Sequence, residues 1–199
     1  MMSDILALDI ETANFSHEIG GFGNTAMFEI TVAATYDGIN KTIYCNEEIE
    51  VDNDIVVKEL HPKTLGQDLE DFISKGGKVI GHNLTGFDLP ILRDSLDCWA
   101  AGEILKNKTY FDTANGLQKA LGHRVALGEL VRYNLSASKL LDSEDAPFLW
   151  KSGRHSEVAA YCLNDSELTF NLYNHISNEG VVKSRSLETG DIIEVKVIW

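Results

Sequence analysis

The run Ile5-Leu6-Ala7-Leu8-Asp9-Ile10 constrains this chain more than any other segment. It has the near-continuous apolar character of a short strand covered on both faces, and a single aspartate interrupts it. A carboxylate in that setting loses its hydration, so the fold must supply a cation or several hydrogen-bond donors. Side chains alternate along a strand, so Asp9 and Glu11 face the same way and can converge on one ion. The plainer alternative is an Asp9 satisfied by neighbouring donors near a strand end. Asp-x-Glu spacing alone selects nothing, because it recurs at Asp68/Glu70, Asp142/Glu144 and Asp165/Glu167.

The segments 30–37 and 41–45 are β-rich, and Asp37-Gly38-Ile39-Asn40 between them predicts an antiparallel hairpin after the first strand. Thr64-x-x-Gln67 has the form of a capping box, opening a helix with Leu65, Leu69, Phe72 and Ile73 on one face that Gly76-Gly77 ends. Residues 78–81 read as a strand, and Asp88-Leu89-Pro90 as the start of a helix with Leu89, Leu92 and Leu96 on one side. A strand at Thr109–Asp112 and helices over 113–121 and 126–135 follow, whereas 136–154 is polar and irregular. The strongest helical pattern runs from Glu157 to Ile176, with Ser156 placed to cap it. Residues 179–199 read as a β-hairpin turning at Glu188–Asp191. With no repeat or linker, the expectation is one α/β layered domain over 1–199, a core at 1–178 and the hairpin at 179–199.

A chain of 199 residues, 44% of them hydrophobic, can bury a core without covalent staples. Cys45, Cys98 and Cys162 are widely spaced and suggest neither a disulfide framework nor a zinc site. No leader pattern opens the chain, and no run approaches the roughly 18 apolar residues of a membrane span. A cytoplasmic protein that makes no use of a membrane is expected. The charge of −14, from 31 acidic against 17 basic residues, opposes a long grip on a polyanion, so any contact with nucleic acid must be short and local.

Two further carboxylates stand where hydrophobes or caps are expected. Asp88 has the position of a helix N-cap, which alone would account for it. Tyr161-x-x-x-Asp165 puts two side chains side by side on a helix, within the stripe Val158, Tyr161, Asp165, Leu168 and Leu172 that should face the core. An inward aspartate there needs a partner, and a helix N-terminus or a backbone donor would serve as well as an ion.

Taken in order, LALDIET, HNLTGFD and YCLND resemble the three exonuclease motifs of the DEDD superfamily, tyrosine branch, and span Leu6 to Asp165. The nearest resemblance is to the proofreading exonuclease domains of family B DNA polymerases. The resemblance implies a ribonuclease H-like fold, a mixed central sheet flanked by helices, to which the C-terminal hairpin is an addition. It implies 3′→5′ exonuclease activity with two divalent cations, Mg²⁺ or Mn²⁺, whose preference for hard oxygen ligands suits this set. Asp9, Glu11 and Asp165 would hold one ion, Asp9 and Asp88 the other, and Tyr161 would orient the attacking water, since a phenol is a poor base at neutral pH. By the same resemblance the backbone at Thr12 would meet the 3′-hydroxyl, and Asn83 and Phe87 would border the last bases. The partner implied is a single-stranded nucleic-acid 3′ end, DNA favoured over RNA, with nucleoside 5′-monophosphates as products.

Arg93, Lys139, Lys151 and Arg154 are candidate phosphate contacts, and a protein partner that delivers substrate would offset the missing positive charge. Three other functions stay open on sequence grounds. They are an RNA-trimming exonuclease, a non-catalytic nucleic-acid-binding module of the same fold, and a phosphoesterase acting on a small nucleotide.

Overall fold

The computed structural model describes residues 4–140 and 145–198. Its centre is a mixed six-stranded sheet in the order β4-β3-β2-β1-β5-β6. The strands are β1 (Ile5–Thr12), β2 (Ile30–Tyr36), β3 (Lys41–Cys45), β4 (Ile55–Lys58), β5 (Lys78–Gly81) and β6 (Tyr110–Asp112). β1, β2 and β3 form an antiparallel meander, while β4 lies parallel to β3, and β5 and β6 extend the other edge in parallel. The helices are α1 (Pro62–Ser74), α2 (Asp88–Asp94), α3 (Trp99–Asn107), α4 (Thr113–Leu121), α5 (Leu127–Leu135), α6 (Ala146–Lys151) and α7 (His155–Glu179).

Alternation along β1 sorts its side chains between two cores. Leu6, Leu8 and Ile10 join α1, α2 and α3 on one face. On the other, Val32 and Ala34 of β2 pack against Val158, Ala159, Tyr161 and Cys162 of α7. Asp9 and Glu11, alternate with Leu8 and Ile10, therefore point toward α7. The helix lies close to the sheet backbone there. The Cys162 thiol donates to the Asp9 carbonyl at 3.4 Å, and Ser166 Oγ donates to the Ala34 carbonyl at 3.1 Å.

A separate antiparallel pair, β7 (Val181–Arg185) and β8 (Ile192–Lys196), forms the expected hairpin, its turn closed by Ser186 N–H to the Asp191 carbonyl at 2.8 Å. It does not extend the central sheet. Val182 and Val197 instead pack with Leu130, Val131, Leu172 and Ile176, over α5 and α7.

Three capping expectations are corrected. α1 begins at Pro62, and His61 Nδ1 accepts from the Lys63 N–H at 3.1 Å, which leaves Thr64 inside the first turn. Asp88 is the first residue of α2 rather than its cap, and Phe87 holds the cap position. α7 begins at His155, and Ser156 Oγ accepts from Glu50 N–H at 2.9 Å instead. The stretch read as irregular contains α6. Among the described residues the three cysteines are free and buried, and no helix is long and apolar enough to cross a membrane.

Candidate metal centre

Residues from distant parts of the chain meet at one open cleft of about 900 Å³, beside the C-terminal end of β1. Asp9, Glu11, Thr12, Asn83, Phe87, Asp88, Tyr161 and Asp165 all line it. β1 presents Asp9 and Glu11 toward α7, and α7 answers with Tyr161 and Asp165, one turn apart and both buried. Asp9, Glu11 and Asp165 each offer an oxygen within 4.8 Å of the other two. Asp88 arrives from α2, where its Oδ1 accepts the Ile10 N–H at 3.1 Å and ties the helix start to β1. That bond, rather than a helix cap, is what orients it.

The loop before α2 is held by Asp112, which no sequence signal marked. Its carboxylate accepts from Asn83 N–H at 3.1 Å, Thr85 N–H at 2.9 Å and Thr85 Oγ1 at 2.6 Å while capping α4. Asn83 adopts a left-handed φ of 73° and accepts from the Arg124 guanidinium. A side chain at Gly86 would meet Asn83 Oδ1 and displace the Asn83 amide from its present position. His82, at the start of the same loop, has Nδ1 3.0 Å from Thr113 Oγ1 and Nε2 3.0 Å from the Val125 carbonyl. Burial holds its pKa down to about 4, so the ring is neutral at physiological pH. A neutral ring that must donate Nε2–H to the carbonyl then accepts at Nδ1.

No protein-family model matches this chain, and no curated protein matches it. The site's chemistry therefore rests on its own geometry.

Two charges 4.8 Å apart repel by roughly 3 kcal/mol at an effective dielectric near 20. Burial, then Asp165, Glu11 and Asp88, push the Asp9 carboxyl well above its ordinary range, and burial followed by Asp165 does the same to Glu11. Burial raises Asp88 to about 8, against the bonds from its own backbone N–H and from Ile10 N–H. It also raises Asp165, against Lys139 and the Tyr161 hydroxyl, which both bond to it. Asp9 Oδ2 and Asp165 Oδ1 are buried with no hydrogen-bond partner. Lys139 Nζ meanwhile sits 2.6 Å from Asp165 Oδ2, its side chain only 14% exposed, and 4.9 Å from the Tyr161 ring.

An all-oxygen donor set with uncompensated lone pairs and an ammonium already drawn in fits a hard divalent cation. Among the described residues, Asp68 and Glu167 of the other Asp-x-Glu pairs find partners of their own. Asp68 bonds Tyr44 at 2.7 Å and Lys58 at 2.6 Å, and Glu167 pairs with Lys41 at 3.1 Å. Asp142/Glu144 lies outside the described residues.

Of the four basic candidates, only Lys139 lines the cleft. Arg93 is paired with Asp94, Lys151 with Glu18 and Arg154 with Glu157. Sequence reading also passed over Phe15, His17, Phe22 and Phe28, which the connection between β1 and β2 adds to the lining. Their one available signal is Gly20-Gly21-Phe22-Gly23, a bulky ring set among glycines.

Proposed function

We propose that this chain is a metal-dependent 3′→5′ exonuclease of ribonuclease H-like fold, acting on single-stranded nucleic acid, DNA before RNA. The observation that carries the reading is the meeting of Asp9, Glu11, Asp88 and Asp165, with Tyr161, in one cleft where two buried carboxylate oxygens lack partners. The order of the three motifs and the mixed sheet flanked by helices support the same reading.

Asp9, Glu11 and Asp165 would hold one Mg²⁺ or Mn²⁺, and Asp9 with Asp88 a second. Such cations supply Lewis-acid polarisation of the phosphoryl oxygens and lower the pKa of bound water. The chain's own residues do the placing. Tyr161, its hydroxyl bonded to Asp165, is positioned to orient the attacking water. Asn83 and Phe87 border the terminal base, and the backbone at Thr12 receives the 3′-hydroxyl end of the strand. Attack on phosphorus then breaks the P–O3′ bond and releases a nucleoside 5′-monophosphate.

The deciding experiment incubates 5′-labelled single-stranded DNA, single-stranded RNA and blunt duplex with Mg²⁺ or Mn²⁺. We expect a ladder shortening from the 3′ end of the single strand. Asp9→Ala should reduce it more than about 100-fold, since loss of an outer-shell partner alone costs 10–100-fold. Internal cuts, or a ladder that survives Asp9→Ala, would refute the proposal.

A further inference from the structure

We infer that Phe22 forms a second base-stacking platform, one nucleotide outward from Phe87, so that the substrate strand must present two unpaired bases. The inference rests on the nuclease reading and specifies how its cleft grips a strand. The connection between β1 and β2 is longer than a turn requires and is fixed by contacts of its own. Gly20 and Gly21 take φ of +84° and +114°, Gly21 N–H donates to the Ser16 carbonyl at 2.7 Å, and Asn24 Nδ2 donates to the Ile19 carbonyl at 2.7 Å. Lys151 of α6 fixes the same connection, pairing with Glu18 at 2.9 Å and lying 5.4 Å over the Phe15 ring.

The result is a phenylalanine 65% exposed at the cleft, in a protein with a strong excess of acids. Two other rings support it. Phe28, nearly fully buried, is stacked on Phe22 at 6.5 Å, and Phe87 meets Phe22 edge-on at 6.2 Å. Phe87 adjoins Asp88 and is partly buried, whereas Phe22 keeps most of its surface open. This gradient of exposure, from Phe87 beside Asp88 to Phe22 at the rim, is the order in which successive bases of a strand entering by its end would meet the two rings.

Charge leaves few other means of holding that strand. Among the described residues lining the cleft, Lys139 is the one Lys or Arg, and it is committed to Asp165, while Asp9, Glu11, Asp88, Asp165 and Glu129 are acidic. Stacking works regardless of charge and base identity, and one stacked base is worth about a tenfold change in affinity.

The test uses the full chain with Ca²⁺ and 12-nucleotide single strands carrying 2-aminopurine at the last, penultimate or third base. Quenching is expected at the last two positions and not at the third. Phe22→Leu, which keeps an apolar contact with Phe28, should lose the penultimate quench and weaken Kd about tenfold. Phe22→Tyr should restore both. With Mg²⁺, Phe22→Leu should raise KM about tenfold and change kcat less than about threefold.

A Phe22→Leu Kd within about twofold of the parent, an equal loss in Phe22→Tyr, or a fully paired 3′ end bound as tightly as the single strand would each overturn the platform. Failure to bind any strand would overturn it too. Phe22-dependent quenching without hydrolysis would uphold the platform and defeat the nuclease reading, and hydrolysis indifferent to Phe22 would do the reverse.

Discussion

Asp88 and His82 stand on one short stretch of chain and titrate in opposite senses. Asp88 has an ordinary pKa of 3.8 but is held at about 8 by burial, so between those values the folded state keeps a proton that the unfolded chain has lost. Stability then falls as pH rises. Asp9, Glu11 and Asp165 are raised as well and act in the same direction. His82 is lowered from 6.5 to about 4, so the unfolded chain takes up its proton first and stability falls as pH drops below 6.5. It offsets one carboxylate below pH 6.5 and none above. The metal-free protein should therefore lose stability most steeply between pH 6.5 and 8, by about 1.4 kcal/mol per pH unit for each extra proton held. For a domain of this size that is roughly 3–6 °C in Tm per unit. Saturating Mg²⁺ or Mn²⁺ favours the ionised carboxylates and should flatten the decline, so the metal-induced rise in Tm grows with pH. Thermal melts in EDTA and in metal across this window test both slopes. A metal-free Tm that climbs toward pH 8 would contradict the account.

Among the elements, the β7–β8 hairpin has the most separable role. Asn134 of α5 bonds it through both amide groups, donating to the Lys183 carbonyl at 2.9 Å and accepting from the Lys183 N–H at 2.8 Å. Val182 is fully buried beneath it. Val182→Ala removes two methyl groups from a packed site, an expected loss of about 2–3 kcal/mol or ~4–12 °C in Tm. Because α7, which carries Asp165, packs directly on β1 and β2, the metal-induced Tm shift should survive this substitution. A Tm moved by less than about 1 °C would show that the hairpin is not part of the core. The hairpin was legible from the sequence, as were β1 and β5 as short apolar runs, β2 and β3 as β-rich segments around a turn cluster, and α7 by apolar residues repeating at the helical period. β4, α3 and α6 were not. β4 is a four-residue edge strand with Val56 and Val57 exposed, embedded in an acidic stretch, and α6 is six residues long. Caps at Thr64, Asp88 and Ser156 failed for a different reason. Each side chain is of a capping type, but Asp88 and Ser156 form longer-range bonds, to Ile10 and Glu50, that no local pattern encodes. Asp9 and Asp165 stood out in the sequence because a carboxylate in an apolar run or stripe is anomalous, and Glu11 by alternation with Asp9, whereas Asp88 read locally as a cap and drew notice only through the order of the three motifs, and Asp112 stands in ordinary surroundings.

At the scale of the whole molecule, the net charge of −14 sets how a polyanion can approach. Of the Lys and Arg residues read as phosphate contacts, only Lys139 lines the cleft, and it is occupied with Asp165. A strand held mainly through its last bases and the bound cations would therefore neutralise few phosphates through side chains. For single strands, each neutralised phosphate contributes about 0.7 to the log–log salt slope. Two or three contacts give a slope of about −1.4 to −2.1 and cost about 7- to 18-fold in affinity between 50 and 200 mM salt. Eight contacts would give a slope steeper than about −5 and a loss exceeding about 1,000-fold over the same range. Titrating a labelled single strand at fixed Ca²⁺ over that range separates the two regimes, and the shallow one is expected. A steep slope would mean that cations outside the cleft wrap a long stretch of strand, in which case the substrate is recognised along its backbone and not by its end.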